Sequence, residues 1–220
     1  MKLTIFAATG GIGQQVLRQA ATDHDITAVV RDPSRLPVAV PAVTADLATA
    51  DPATLASAVQ GADAVLSCLG RRSASDTGIA WHGTEAIVAA MRATGVRRIV
   101  VISAAPIGTV PSPGRPAPPK HDPGDGFIVQ YLFGPLIKTL FRESYADLAR
   151  MEDILRDSDL DWTVLRPPRL TNGPLTGKYR TAYGRNVRRG LLISRADVAH
   201  LMLRVLDEPG SVRQTVGVAY

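Results

Sequence analysis

The sequence predicts an α/β fold built on a doubly wound parallel sheet, and two observations carry that reading. From Lys2 to Val30 the chain runs as an apolar stretch, a glycine-dense turn, a helix-spaced stretch and a second apolar stretch. The same alternation then continues to Ser103, with no internal repeat or low-complexity tract. Strands that alternate with helices in this way pair in parallel, with helices on both faces.

Each element has its own signal. Leu3, Ile5 and Ala7 mark the first strand, and Val16, Leu17 and Ala20 shift to helical spacing after the glycines. Ile26, Ala28 and Val30 form the second strand, and Asp32-Pro33-Ser34 is a turn. A short third strand lies within Pro37 to Asp46. Asp51 and Pro52 read as an N-cap and first helical residue, starting a helix that runs to Gly61. Ala64 to Leu69 is the fourth strand, Ile79 to Thr94 a helix closed by Gly95, and Arg98 to Ser103 the fifth strand.

From Ala104 to Gly126 the rhythm stops. Seven prolines (106, 111, 113, 116, 118, 119 and 123) exclude helix or strand interiors there. Phe127 to Arg156 then reads as a long helix restarted at Pro135, with Ile128, Leu132, Leu136 and Leu140 on one stripe. The insertion 104–142 is expected to be an ordinary core element, a lid or a subunit contact. Leu160 to Arg166 is a sixth strand, Ser194 caps a helix from Arg195 to about Leu206, and Val212 to Val218 is a last strand.

Composition bounds the function. At 220 residues, one domain spanning 1–220 is expected. The single cysteine, Cys68, excludes a disulfide framework and fits a reducing, cytoplasmic setting as a buried, inert thiol. The first strand begins at Lys2, so no signal peptide is expected. The longest apolar stretch is interrupted by Gln130, Pro135 and Lys138 and is shorter than the roughly 20 residues of a membrane span. A net charge of +5 favours anionic ligands, but no nucleic-acid motif accompanies it, and the basic run Arg180 to Arg189 reads as a solvated loop.

The turn Thr9-Gly10-Gly11-Ile12-Gly13 carries the main functional signal. At a helix N-terminus, backbone N–H groups and the helix dipole attract a pyrophosphate, and bulk at Gly10 or Gly13 would block its approach. Ala7 stands where the dinucleotide fingerprint has its first glycine, which is tolerable only if Ala7 keeps a negative φ. The second strand ends in Arg31, where an acidic residue would select NAD. An arginine there, with Arg35 nearby, suits the 2′-phosphate of NADP(H).

Ligands of open α/β sheets bind beyond the carboxyl ends of the strands. That rule nominates Thr9 to Gly13, Arg31, Asp46 and Leu47 on the adenine side, Leu69, Gly70 and Arg71, Ser103, and Pro167 to Leu170, including Pro168. Ser103 is the polar side chain best placed to hydrogen-bond an acceptor carbonyl or the nicotinamide amide. The Tyr–Lys acid/base pair usual in short-chain dehydrogenases is absent, since Ala149 stands four positions after Tyr145. The four histidines (24, 82, 121 and 200) are scattered, so no metal site is expected.

These features resemble the NAD(P)H-binding, atypical short-chain dehydrogenase family that includes biliverdin-IXβ reductase, the NADPH-dependent flavin reductase. The resemblance rests on IFAATGGIG (5–13), VRDPSRLP (30–37), DAVLSCLG (63–70), IVAAMRATGV (87–96), RPPRL…GPLTGKY (166–179) and ISRADVAHLMLR (193–204). It implies a Rossmann fold, to which this sequence adds a long Pro-rich insertion before a late helix (104–142) that lies outside the reductase pattern. It also implies NADP(H) as cofactor and hydride transfer to a flat conjugated small molecule such as a flavin, quinone or tetrapyrrole. Leu148 and Arg169 fall where relatives carry histidines near the substrate. A homodimer, a non-catalytic NADP-binding sensor and a non-redox isomerase or cyclase are the other expectations.

Overall fold

The computed structural model describes residues 1–70, 78–124 and 140–220. Ten strands are described: β1 (Lys2–Phe6), β2 (Asp25–Val30), β3 (Ala42–Thr44), β4 (Ala64–Ser67), β5 (Arg98–Ile102), β6 (Asp161–Arg166), β7 (Arg169–Thr171), β8 (Arg180–Tyr183), β9 (Leu192–Ser194) and β10 (Gln214–Ala219). The α-helices are α1 (Gly11–Ala20), α2 (Pro52–Val59), α3 (Ile79–Thr94), α4 (Arg142–Arg156) and α5 (Arg195–Arg204).

Eight strands form one sheet in the order β3-β2-β1-β4-β5-β6-β10-β8, and β7 pairs separately with β9. The first six keep the 3-2-1-4-5-6 order of a Rossmann fold. All pairings of the large sheet are parallel except β10 with β8. Strand order reverses between β1 and β4, which opens a crevice at their carboxyl ends.

Alternate residues of each strand face opposite layers. Leu3, Ile5, Ala28 and Leu66 pack with α1 and α5 on one face. Phe6, Val29, Val65 and Val101 pack with α2, α3 and α4 on the other. Among the described residues, no helix is long and apolar enough to cross a membrane.

Two expectations change. The basic run does not begin as a solvated loop: Arg180–Tyr183 is an antiparallel edge strand, and Val187 and Asn186 are buried behind it. Its arginines remain exposed, which is how a charged run covers a sheet edge. The Pro-rich segment is not structureless where it is described, because Ala105–Thr109 forms a 3₁₀ helix and Ser112 bridges to Arg115. The late helix is described over Arg142–Arg156, and its expected start at Phe127 lies outside the described residues. Ile128, Leu132 and Leu136 lie outside the described residues, while Leu140 is 74% exposed.

Candidate functional site

A half-open cleft lies at the reversal point, lined by Ala7, Thr9, Arg31, Asp46, Leu47, Cys68, Leu69, Gly70 and their neighbours. The expected residues Thr9, Arg31, Asp46, Leu47, Leu69 and Gly70 therefore come together in one wall. Gly10 to Gly13 lead from this wall into α1. Arg71 lies outside the described residues.

The turn itself departs from expectation at Ala7, which adopts φ +56° instead of a negative value. The chain must reverse within one residue to pass from β1 into α1, and the Gly10 N–H closes that turn on the Ala7 carbonyl at 2.9 Å. A left-handed Ala costs about 1–2 kcal/mol, strain of the kind held at ligand sites. Gly13 serves packing rather than phosphate approach. A Cβ there would sit 2.5 Å from the Ala7 carbonyl oxygen and 2.8 Å from the Ala8 Cα.

Helix α1 starts open. Gly10 gives no side-chain cap, and no acidic residue lies in the first turn. Its first N–H groups have no carbonyl one turn earlier to bond. Those donors, a glycine at positions 10 and 11, and the Arg31 cation on the same cleft fit a dinucleotide phosphate.

Other residues shape the walls. Gly83 of α3 lets the helix approach, since a Cβ there would lie 2.7 Å from Leu69 Cδ1 and 3.1 Å from Leu47 Cδ1. Asp46 is exposed and its Oδ1 accepts the Ala48 N–H at 3.1 Å. Burial pushes the Cys68 thiol up to about 12, so it is inert as expected. Arg35 is exposed at the end of the 3₁₀ turn Pro33–Arg35, outside the cleft lining.

Ser103, just past β5, is not an open strand-end hydroxyl. It is buried, and its Oγ donates to Glu152 Oε1 at 2.7 Å. Arg166 grips the same carboxylate, Nε to Oε1 at 3.0 Å and Nη2 to Oε2. Glu152 and Arg166 are 2% and 5% exposed, so this pair is desolvated and stands on mutual bonding. Next to it, Asp153 accepts from Ser112 Oγ at 2.9 Å and Gly114 N–H at 2.9 Å, tying the Pro-rich segment to α4.

Leu148 and Tyr145 pack under Ile107 and Val110 of that segment. Burial raises the Tyr145 hydroxyl above its ordinary value. Pro168 is partly buried between β6 and β7, and Arg169 is exposed at the start of β7 opposite Leu192. None of Ser103, Leu148, Pro168 or Arg169 lines the cleft.

The sequence reading missed Glu152, Arg166, Asp147 and Arg195. Asp147 of α4 caps α3 from across the layer, accepting the Trp81 N–H at 2.8 Å and the Ala80 N–H at 3.2 Å. The available signal was that Asp147 and Glu152 share the core-facing side of α4 with Ala149, Met151 and Leu155.

Comparison with known proteins agrees with this geometry. The family model described as NAD(P)H-binding matches residues 7–209. The "uncharacterized sugar epimerase YhfK" of Bacillus subtilis is 29% identical over 219 residues, covering 94% of this chain and 89% of its own. A short-chain dehydrogenase/reductase of Veillonella parvula, solved in complex with NADP, superposes with a TM-score of 0.73 at 22% identity, covering 100% and 94% of the two chains. ChuY, an anaerobilin reductase from Escherichia coli O157:H7, superposes with a TM-score of 0.75 at 21% identity, covering 100% and 97%.

Proposed function

The chain belongs to the NAD(P)H-binding family, and from that premise we propose that it is an NADPH-dependent oxidoreductase acting on a flat conjugated acceptor of the flavin, quinone or tetrapyrrole class. The observation that carries the cofactor choice is Arg31 on the wall of the cleft at the end of β2. A guanidinium there favours a 2′-phosphate over a bare ribose. The glycine turn takes the pyrophosphate, and Asp46, Leu47 and Leu69 take the adenine side. The bound dihydronicotinamide supplies the hydride.

The acceptor class follows from what the protein offers for proton transfer. Tyr145 has no lysine partner, and Ala149 is fully buried where one would stand. Leu148 is apolar, and the Ser103 proton is held by Glu152. An acceptor that spreads incoming negative charge over a conjugated ring needs no strong acid beside it. Ser103, whose proton is committed to Glu152, would take part only through its remaining lone pairs, as an acceptor of an N–H rather than a donor to a carbonyl. The similarity to ChuY, named as an anaerobilin reductase, supports a planar acceptor.

The test is NADPH oxidation at 340 nm with flavin mononucleotide, menadione and biliverdin as acceptors. One NADPH lost per acceptor reduced is expected. Bound NADPH that no acceptor consumes would overturn the reductase reading in favour of a sensor. The similarity to YhfK, named as a sugar epimerase, favours one further reading, a non-redox isomerase. Conversion of a nucleotide sugar without net NADPH loss would establish it.

A further inference from the structure

We infer that Arg195 is a second phosphate-binding cation, placed against the glycine turn beside the cleft to hold the dinucleotide pyrophosphate. This rests on the NAD(P)H reading above and assigns a residue to that site. The first observation is contact. A Cβ on Gly11 would lie 2.8 Å from Arg195 Nε and 2.9 Å from its Cδ, so the arginine stem lies directly on the first residue of α1. Gly11 is exposed on the outer side of the turn, where phosphate donors are needed.

The second observation is electrostatic. Arg195 is the first residue of α5 and also touches the first residue of α1, so its charge stands at the positive ends of two helix dipoles. Its hydrogen-bond partner is a neutral amide, Nη1 donating to Asn172 Oδ1 at 2.7 Å. The nearest acid in sequence, Asp197, is engaged elsewhere: it accepts from Tyr220 and Thr176 hydroxyls and from the N–H groups of Thr176 and Gly177. A cation held at two positive helix ends is unfavourable alone and is satisfied by an anion seated at the same point. Asn172 directs the guanidinium, and Ser194, accepting the Asp197 N–H at 3.0 Å, fixes the helix start that carries it.

Arg31 and Arg195 therefore serve different phosphates. Arg31 discriminates between cofactors, whereas Arg195 contributes to both NADPH and NADH. The experiment is a fluorescence titration of wild type, Arg195→Gln and Arg195→Lys with each dinucleotide. Arg195→Gln is expected to weaken NADPH and NADH by the same factor, about tenfold or more for a lost charge-assisted bond. Arg195→Lys, which keeps the charge, is expected to stay within a few-fold of wild type. Wild-type affinity in Arg195→Gln, or equal losses in Gln and Lys, would overturn the inference while leaving the cofactor reading intact. A wild-type protein that binds neither dinucleotide would overturn that reading itself.

Discussion

Helices α1 and α3 both start from glycines that offer no side-chain cap, yet their N-termini end up in opposite states. At α3, Gly78 sits at φ +78° and the Asp147 carboxylate reaches over from α4 to accept the Ala80 and Trp81 N–H groups. At α1, no acidic residue lies in the first turn, Arg195 lies on Gly11, and Arg31 stands on the wall of the cleft. One helix end is closed by the protein's own anion. The other has no acidic residue in its first turn and carries Arg195 against its first residue. The same division runs through the molecule. Around α4, Glu152, Asp153 and Asp147 bind internal partners and hold the structure together, whereas the α1 end is the proposed seat of the cofactor phosphate.

The sharpest way to break this contrast is to remove an internal charge. Glu152→Ala leaves Arg166 buried without its partner and is expected to cost about 3–5 kcal/mol in urea unfolding. Arg31→Ala should do the reverse, leaving the unfolding midpoint unchanged while weakening NADPH about 10- to 100-fold and sparing NADH, as measured by titration. Asp147→Ala opens the α3 terminus and is expected to lose about 0.5–2 kcal/mol of stability. Ala7→Gly removes a left-handed Ala and is expected to gain about 1 kcal/mol, read as a raised melting temperature.

The smallest effect concerns pH. Burial opposes the Asp197 charge, but hydrogen bonds from Tyr220, Thr176 and Gly177 outweigh it and hold the carboxyl below its ordinary 3.8. A depressed folded value means that the contribution is complete above 3.8 and is lost as pH falls through the lower folded value. Asp197→Asn should flatten the acid limb of stability below pH 4 and leave the neutral region's slope unchanged.

How much of this was legible depended on how local the signal is. Helix α3 could be read to the residue, because apolar spacing and Gly95, found at φ +75°, mark both helix and stop within one window. The doubly wound, mostly parallel sheet and the cleft residues Thr9, Arg31, Asp46 and Leu69 also followed from short segments plus the rule for strand ends. Ala7 was misread because side-chain bulk argues for negative φ, while the chain reversal from β1 into α1 overrides that preference. Ser103 was placed correctly along the chain but not in its bonding. Its partner Glu152 sits on α4, far along the chain, and the pairing depends on how that helix packs. Arg195 against Gly11 depends on α5 packing beside α1, which no local pattern records.

The central claim, that the open end of α1 and Arg31 form an NADP(H) site, is tested most directly by calorimetric titration of the wild-type protein with NADPH and NADH under identical salt. The account predicts binding of both at one site per chain, with NADPH tighter by about 10- to 100-fold, the worth of one charge-assisted contact. Equal affinities would contradict the role of Arg31. Absence of binding to either would contradict the site as a whole.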